Sequence, residues 1–240
     1  MNQLLEKILE RLKDAVYPRH CPVCDEIVGG GEKICADCMR ELKLVKAPWC
    51  MSCGRPIRDA HERCHECKRA GMREFVRGRV LYEYPSVAKS IYRFKYGNRA
   101  EYAEFFGGEM AYFLKDFIDG TAADGIIPIP LHKKRMKKRG YNQAGLLAEE
   151  LGKVCNIPVY DKLLIRVKNT APLKMLGLSE RQNNLKKAFN ISQNGVKLKR
   201  VILVDDIYTT GSTIAEAAHT LRTYGVSEVY FVALACGEGI

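Results

Sequence analysis

The fold of this chain is decided by residues 201–213, Val201-Ile202-Leu203-Val204-Asp205-Asp206-Ile207-Tyr208-Thr209-Thr210-Gly211-Ser212-Thr213. Four consecutive apolar residues predict a parallel strand that is covered on both faces. The strand ends in two carboxylates, and a loop of hydroxyl residues and glycine then leads into a helical pattern. Carboxylates accept hydrogen bonds from vicinal ribose hydroxyls, and a helix N-terminus attracts a phosphate. The stretch therefore predicts a crevice for a phosphorylated ribose at the carboxyl end of a parallel sheet.

These thirteen residues resemble the motif of the type I phosphoribosyltransferases that binds 5-phosphoribosyl 1-diphosphate (PRPP). The resemblance implies that Asp205 and Asp206 hold the ribose, with Mg²⁺ bound to PRPP. It also implies that the loop holds the 5′-phosphate. Tyr208 is a further candidate, beside the ribose site. The remaining residues of this PRPP-binding set are Ile207, Tyr208, Thr209, Thr210, Gly211, Ser212 and Thr213. The competing interpretation is a solvated turn or a helix cap.

Eight of the ten cysteines form four Cys-x-x-Cys knuckles near the start of the chain. Two thiolates of one knuckle face the same ion, and two knuckles complete a tetrahedral structural zinc site. The repeated spacing predicts two zinc ribbons in tandem, one with Cys21, Cys24, Cys35 and Cys38 and the other with Cys50, Cys53, Cys64 and Cys67. Spacing leaves crossed pairing and the number of bound ions open, and the alternative is a disulfide framework.

The chain is predicted to contain two domains. Residues 1–74 comprise an N-terminal amphipathic helix and the zinc ribbons, and residues 75–240 form an α/β domain with a mostly parallel sheet. The predicted strands are 79–84, 125–130, 163–167, 201–206 and 228–235, and the predicted helices are 87–96, 100–117, 142–155, 179–188 and 213–224.

Charge is distributed unevenly along the chain, which has a formal net charge of +11. Residues 76–240 carry 25 Lys and Arg against 16 Asp and Glu, which suits an anionic partner. Six of the nine residues in 131–139 are basic, and we interpret this run as a flexible loop. Two roles stay open for the loop: closing over a diphosphate or binding nucleic acid.

Nothing in the sequence predicts a membrane segment. No apolar run approaches the ~18 residues that a membrane span needs, and the N-terminus lacks the layout of a signal peptide. The sequence therefore predicts a cytoplasmic protein.

Further motifs narrow the resemblance to one family. The knuckles and the 201–213 stretch occur together with Phe94-Lys95-Tyr96, Pro128-Ile129-Pro130-Leu131, Arg139-Gly140-Tyr141-Asn142-Gln143-Ala144 and Arg181-x-x-Asn184 followed by Phe189. In this order they resemble the ComF family, in particular its ComFC/GntX-like members. The resemblance implies a phosphoribosyltransferase fold and an association with natural competence, the uptake of external DNA. Leu173 departs from the family pattern, which commonly has glutamine there.

The resemblance implies that an acceptor displaces pyrophosphate from PRPP, although the motifs define no acceptor. Lys95 and Arg139 are candidates for contacts to pyrophosphate and complete the predicted catalytic set with Asp205 and Asp206. The alternative interpretation of Lys95 is a surface lysine that packs along an aromatic patch. The alternative function is a non-catalytic, PRPP-responsive protein that binds single-stranded DNA or another competence protein.

Overall fold

The computed structural model describes residues 18–29, 31–57, 62–69, 76–168, 187–192 and 197–237. Several sequence predictions lie outside these residues: the N-terminal helix, the domain boundary at 74/75 and nearly all of the helix predicted over 179–188. Leu173, Arg181 and Asn184 also lie outside them.

Six strands are described, and four of them form one parallel sheet. Their bounds are β1 Val76–Glu83, β2 Gly125–Pro128, β3 Leu164–Arg166, β4 Phe189–Ile191, β5 Arg200–Tyr208 and β6 Glu228–Cys236. The sheet has the order β1-β6-β5-β2, whereas β3 and β4 form a separate antiparallel pair. The predicted parallel sheet is therefore confirmed, and β4 is an addition that the sequence did not reveal.

The described helices are α1 Ala36–Glu41, α2 His65–Arg69, α3 Tyr84–Tyr96, α4 Tyr102–Phe113, α5 Lys115–Thr121, α6 Lys133–Arg139, α7 Gln143–Cys155 and α8 Ser212–Thr223. One helix was predicted over residues 100–117, but the structure contains α4 and α5 instead. The break falls at Leu114, where φ is −102° and ψ is 10°. This residue is buried, so its apolar side chain continues the helical pattern across a backbone break.

The basic run corrects a second prediction, because residues 133–139 form helix α6 rather than a loop. The His132 side chain accepts a hydrogen bond from the N–H of Lys134 at the N-terminus. At the other end Gly140 adopts a left-handed φ of 81°, a common way for a helix to end. The run has no apolar stripe, so hydrophobic periodicity gave no sign of a helix.

Both faces of the sheet are covered, which explains the continuous apolar run in β5. Val201 and Leu203 share one hydrophobic cluster with the α8 residue Leu221. Ile202 and Val204 belong to the cluster on the opposite face, together with buried residues of α3, α4 and α7. All four apolar β5 residues are fully buried.

Candidate active site and cysteine clusters

The acidic pair lies where β5 extends beyond the end of its neighbour β2. The last residue pair between β2 and β5 joins Pro128 to Val204, so Asp205 and Asp206 follow directly after it. Successive residues of a strand point to opposite faces. The two carboxylates therefore begin on different sides of the sheet at its carboxyl edge.

Asp205 has an unusual environment for a carboxyl group. Burial raises its pKa to about 7, and the charge of Asp206 acts in the same direction. The cations Lys95 and Arg166 oppose this shift, as does the hydrogen bond that Asp205 Oδ1 accepts from the Asp206 N–H at 2.9 Å. A carboxyl group with this pKa is partly ionised near neutral pH. A small change of pH, or a charged ligand nearby, therefore changes its charge.

Lys95, in the last turn of α3, contacts the acidic pair directly. Its Nζ lies 2.7 Å from Asp206 Oδ2, and both side chains are largely buried. The interpretation of Lys95 as an ordinary surface lysine does not fit this ion pair. The structure thus brings together three members of the predicted catalytic set.

The Arg-Gly-Tyr-Asn-Gln segment fixes the helix end that carries Lys95. Tyr141 and Gln143 both donate hydrogen bonds to the backbone carbonyl of Phe94, at 2.7 Å and 3.0 Å. The last carbonyls of a helix have no partner within it, so these two bonds satisfy one of them. The Arg-Gly-Tyr-Asn-Gln motif therefore fixes the backbone of Phe94, the residue before Lys95.

Arg139 lies in the same cleft as Lys95 but does not contact an acidic residue there. Its Nη1 donates to Gln143 Oε1 at 2.9 Å, and its Nη2 donates to the Tyr96 hydroxyl at 3.1 Å. The guanidinium also lies 5.0 Å from the centre of the Tyr96 ring. The cleft is lined by Tyr92, Lys95, Tyr96, Asn98, Lys138 and Arg139. Arg139 and Lys95 can thus act on one ligand.

The predicted phosphate loop leads from β5 into α8. Gly211 has a left-handed φ of 74°, which glycine adopts without strain and which turns the chain into the helix. The hydroxyls of Thr210 and Ser212 lie 3.0 Å apart. The first N–H groups of α8 have no acceptor within the helix, so loop and helix together offer donors to an anion.

Tyr208, the candidate to flank the ribose, packs in the core. Its side chain is buried and stacks on Phe231, with ring centres 4.7 Å apart. It shares a hydrophobic cluster with the α8 residue Leu221.

Arg166 is a site residue that the sequence analysis missed. It is buried on β3, with its guanidinium 5.5 Å from the centre of the Phe189 ring. Burial lowers its pKa to about 10, and the nearby Arg135 adds to this shift, whereas Asp205 opposes it. The only signal in the sequence was a basic residue at an inward position of a short apolar strand.

The eight knuckle cysteines form two separate clusters, grouped sequentially as the spacing predicted. Within each cluster the four sulfur atoms lie within 4.8 Å of one another. Thiolates at the corners of a tetrahedral zinc site, ~2.3 Å from the ion, lie about 3.8 Å apart. The sulfur atoms of Cys24 and Cys35 are 3.7 Å apart, and those of Cys53 and Cys64 are 3.8 Å apart. These distances match the spacing of thiolates around a zinc ion and are too long for a disulfide bond.

Two family models match separate parts of the chain. The family model for double zinc ribbon domains matches residues 12–68. The family model for phosphoribosyl transferase domains matches residues 137–238. The chain thus joins a double zinc ribbon to a phosphoribosyltransferase domain.

Curated relatives match most of the chain. Competence protein F of Haemophilus influenzae is 32% identical over 213 residues, covering 84% of this chain and 90% of that protein. Competence protein ComFC of Bacillus subtilis is 33% identical over 209 residues, covering 81% and 80% respectively. DNA utilization protein YhgH of Shigella flexneri is 30% identical over 202 residues, covering 82% and 87%. The chain belongs to the ComF family of competence proteins.

Solved structures add little to this assignment. Adenine phosphoribosyltransferase from Leishmania tarentolae matches with a TM-score of 0.33 and 14% identity, covering 65% of this chain and 76% of that chain. A match of this size supports no argument. Among the described helices, none has the length and apolar character required to cross a membrane.

Proposed function

We propose that this ComF-family protein binds the Mg²⁺ complex of PRPP and transfers its phosphoribosyl group to an acceptor. The observation that carries the proposal is the Lys95–Asp206 ion pair of 2.7 Å at the edge of the sheet. It joins a cation to the acidic pair beside a loop that ends at a helix N-terminus. Binding a ribose, a 5′-phosphate and a diphosphate together requires this combination of acceptors, N–H donors and cations.

Each group has a role in this proposal. Asp205 and Asp206 accept hydrogen bonds from the ribose hydroxyls, and the backbone and hydroxyls of residues 209–213 donate to the 5′-phosphate. Lys95 exchanges its contact with Asp206 for one with the diphosphate, toward which Arg139 also turns. Mg²⁺ bound to PRPP neutralises part of the diphosphate charge.

The reaction is a displacement at C1′ of the ribose. The lone pair of the acceptor forms the new bond to C1′, while the bond between C1′ and the diphosphate oxygen breaks. The electron pair leaves with pyrophosphate, and the acceptor releases a proton to solvent. Lys95 and Arg139 stabilise the negative charge that develops on the leaving group.

A calorimetric titration of Mg²⁺–PRPP into the zinc-loaded protein tests the proposal. The Asp205→Asn/Asp206→Asn variant should bind at least about 100-fold more weakly, because two charge-assisted hydrogen bonds are lost. The matched control is Asp116→Asn/Asp119→Asn, which neutralises two carboxylates of α5. Binding that both variants retain, or no binding by the parent protein, would reject the proposal.

The relatives named as competence and DNA utilization proteins support placing this activity in DNA uptake. One observation also favours the alternative, a non-catalytic protein that binds single-stranded DNA. On α6 the four lysines are exposed, whereas Arg135 and Arg139, one turn apart, are half-buried. The lysines therefore form an exposed cationic face on α6, and one of them, Lys138, also lines the cleft that contains Lys95.

This alternative is tested with a single-stranded oligonucleotide, whose affinity is measured at increasing salt concentration. Replacing the α6 lysines by glutamine should weaken binding and reduce its salt dependence if that face contacts the strand. The variant combines Lys133→Gln, Lys134→Gln, Lys137→Gln and Lys138→Gln, and the control combines Lys46→Gln, Lys89→Gln, Lys153→Gln and Lys162→Gln. Equal loss in the two variants would contradict a specific role for α6.

A further inference from the structure

Arg55 lies beside the second cysteine cluster, and it was not among the predicted site residues. It follows Cys53 and Gly54, and it is only 8% exposed. Gly54 has a φ of 69°, and a Cβ there would lie 2.7 Å from the Cα of Arg79 on β1. Cys50 closes the turn, since its carbonyl accepts from Gly54 and its N–H donates to the Arg55 carbonyl, both at 2.8 Å. The backbone of Arg55 is therefore fixed by the knuckle.

The guanidinium of Arg55 joins this cluster to the phosphate loop. Its Nη1 lies 2.7 Å from Oε2 of Glu66, a residue of α2 between Cys64 and Cys67. Its Nη2 donates a hydrogen bond to the backbone carbonyl of Thr209. Among the described residues Nε has no hydrogen-bond partner. The buried guanidinium therefore links the cysteine cluster to the phosphate loop through two polar contacts.

The contact with Thr209 determines the direction of a loop donor. In a planar trans peptide the carbonyl and the following N–H point in opposite directions. Because Arg55 holds the Thr209 carbonyl toward the cluster, the N–H of Thr210 points away from the cluster. N–H groups that point outward in this way are what a phosphate requires.

Arg55 also contacts Tyr208, the residue before the loop. The Arg55 guanidinium lies 6.0 Å from the centre of the Tyr208 ring, which also stacks on Phe231. The N–H of Gly237 donates to the Tyr208 carbonyl at 2.8 Å. The loop is thus anchored at two successive residues.

We propose that Arg55 is a positioning residue that sets the phosphate loop in its anion-binding conformation, so that the second cysteine cluster supports PRPP binding. This inference rests on the proposed function for the identity of the ligand. It requires no contact between Arg55 and PRPP. The fixed backbone conformation of residues 209–212 is the property that Arg55 supplies.

The test compares Arg55→Met with Arg40→Met in the full-length, zinc-loaded protein. Arg40 is an exposed α1 residue that pairs with Asp37 in the first ribbon, so it matches the substitution without contacting the loop. Three quantities are measured: zinc content, hydrogen exchange of the peptide covering residues 208–213, and Mg²⁺–PRPP affinity. Arg55→Met should retain zinc, exchange faster in that peptide and bind about tenfold more weakly, the loss expected for one charge-assisted hydrogen bond. Arg55→Lys, which keeps the charge and reaches one of the two partners, should recover part of the affinity.

Hydrogen exchange separates failure of this inference from failure of the proposed function, because it needs no ligand. If the parent protein does not bind PRPP, faster loop exchange in Arg55→Met still supports the positioning role. Unchanged exchange in a zinc-loaded Arg55→Met protein overturns it, whatever the affinity. Should Arg55→Met lose zinc or fail to fold, Glu66→Gln, which weakens the ion pair without removing Arg55, is judged by the same exchange measurement.

Discussion

The two zinc ribbons have the same ligand spacing but different relations to the rest of the molecule. In the second cluster all four cysteines are buried, and they share a hydrophobic cluster with Tyr208 and other residues on one face of the sheet. In the first cluster Cys24 and Cys35 are only half-buried. Cys21 and Cys38 of the first cluster are buried too, in the hydrophobic cluster on the other face of the sheet. The same sequence pattern therefore yields one fully buried cluster and one that is partly exposed.

Besides its apolar contacts, the first ribbon makes polar contacts with the α3–α4 region. Asp25 accepts a hydrogen bond from the Tyr102 hydroxyl at 2.5 Å and lies 2.8 Å from Arg99 Nε. Burial alone would raise the pKa of Asp25, but these hydrogen bonds, together with the charges of Arg99 and Arg93, hold it below its ordinary value. Arg93, two residues before Lys95, donates to the Val23 carbonyl at 2.7 Å. The first ribbon thus holds the helix that carries Lys95, and the second holds the phosphate loop.

The largest effect expected is a loss of thermal stability on cysteine substitution, and this loss should differ between the two clusters. Cys64→Ser removes a buried sulfur and with it much of the metal-dependent folding energy, on the order of 10 kcal/mol per site. Cys35→Ser makes the same change at the equivalent knuckle of the more exposed cluster and should lower the melting temperature less. Calorimetric unfolding with zinc analysis measures both. An equal or larger drop for Cys35→Ser would contradict the difference between the ribbons.

A smaller effect is expected when the polar anchor of the first ribbon is removed. Asp25→Asn should lower the free energy of unfolding by about 1–3 kcal/mol, because charge-assisted hydrogen bonds to Arg99 and Tyr102 are weakened. Urea unfolding measures the change, and Asp37→Asn is the control because that carboxylate is almost fully exposed in the same ribbon. We expect Asp25→Asn to weaken PRPP binding less than Arg55→Met does. The reverse order would show that the first ribbon controls the loop.

The smallest effect expected is the pH dependence of PRPP binding, which the Asp205 carboxyl group controls. Asp205 has a pKa of about 7, so Mg²⁺–PRPP affinity should rise as pH increases through 7 and the carboxylate forms. Lys95 lowers this pKa, and Lys95→Met should therefore move the midpoint to higher pH. Calorimetry from about pH 6 to about pH 8 measures both midpoints, with Asp205→Asn as the control for titration of PRPP itself.

The same shift has the opposite sign for the stability of the free protein. The unfolded-state pKa of an aspartate is about 3.9, so the folded protein binds the extra proton between that value and 7. The stabilising contribution is fully present below the unfolded pKa and is lost as pH rises through about 7. A stability profile that does not differ between parent and Asp205→Asn would contradict the raised pKa.

Local patterns predicted much of this molecule. The apolar run of β5 indicated a strand covered on both faces, and the knuckle spacing indicated two clusters with sequential pairing. The 201–213 stretch also located the acidic pair and the loop on neighbouring parts of one sheet edge. In each case residues close in sequence carry the information, since a strand, a knuckle and a loop are local structures.

The contacts that depend on distant segments were not predictable. Arg55 reaches Thr209 across 154 positions of the chain, and no local pattern marks it. Arg166 on β3 acts electrostatically on Asp205 of β5, and the two strands are far apart in the chain. Helix α6 was missed because its ends, His132 and Gly140, specify it without an apolar stripe.

Hydrogen exchange of the parent protein with and without Mg²⁺–PRPP tests the central claim most directly, because it locates the ligand without any substitution. The account predicts slower exchange in two peptides, one covering the loop at residues 209–213 and the other the end of α3 around Lys95. The exposed helix α1 of the first ribbon should exchange unchanged. PRPP that binds without protecting the loop and the α3 end would contradict the account.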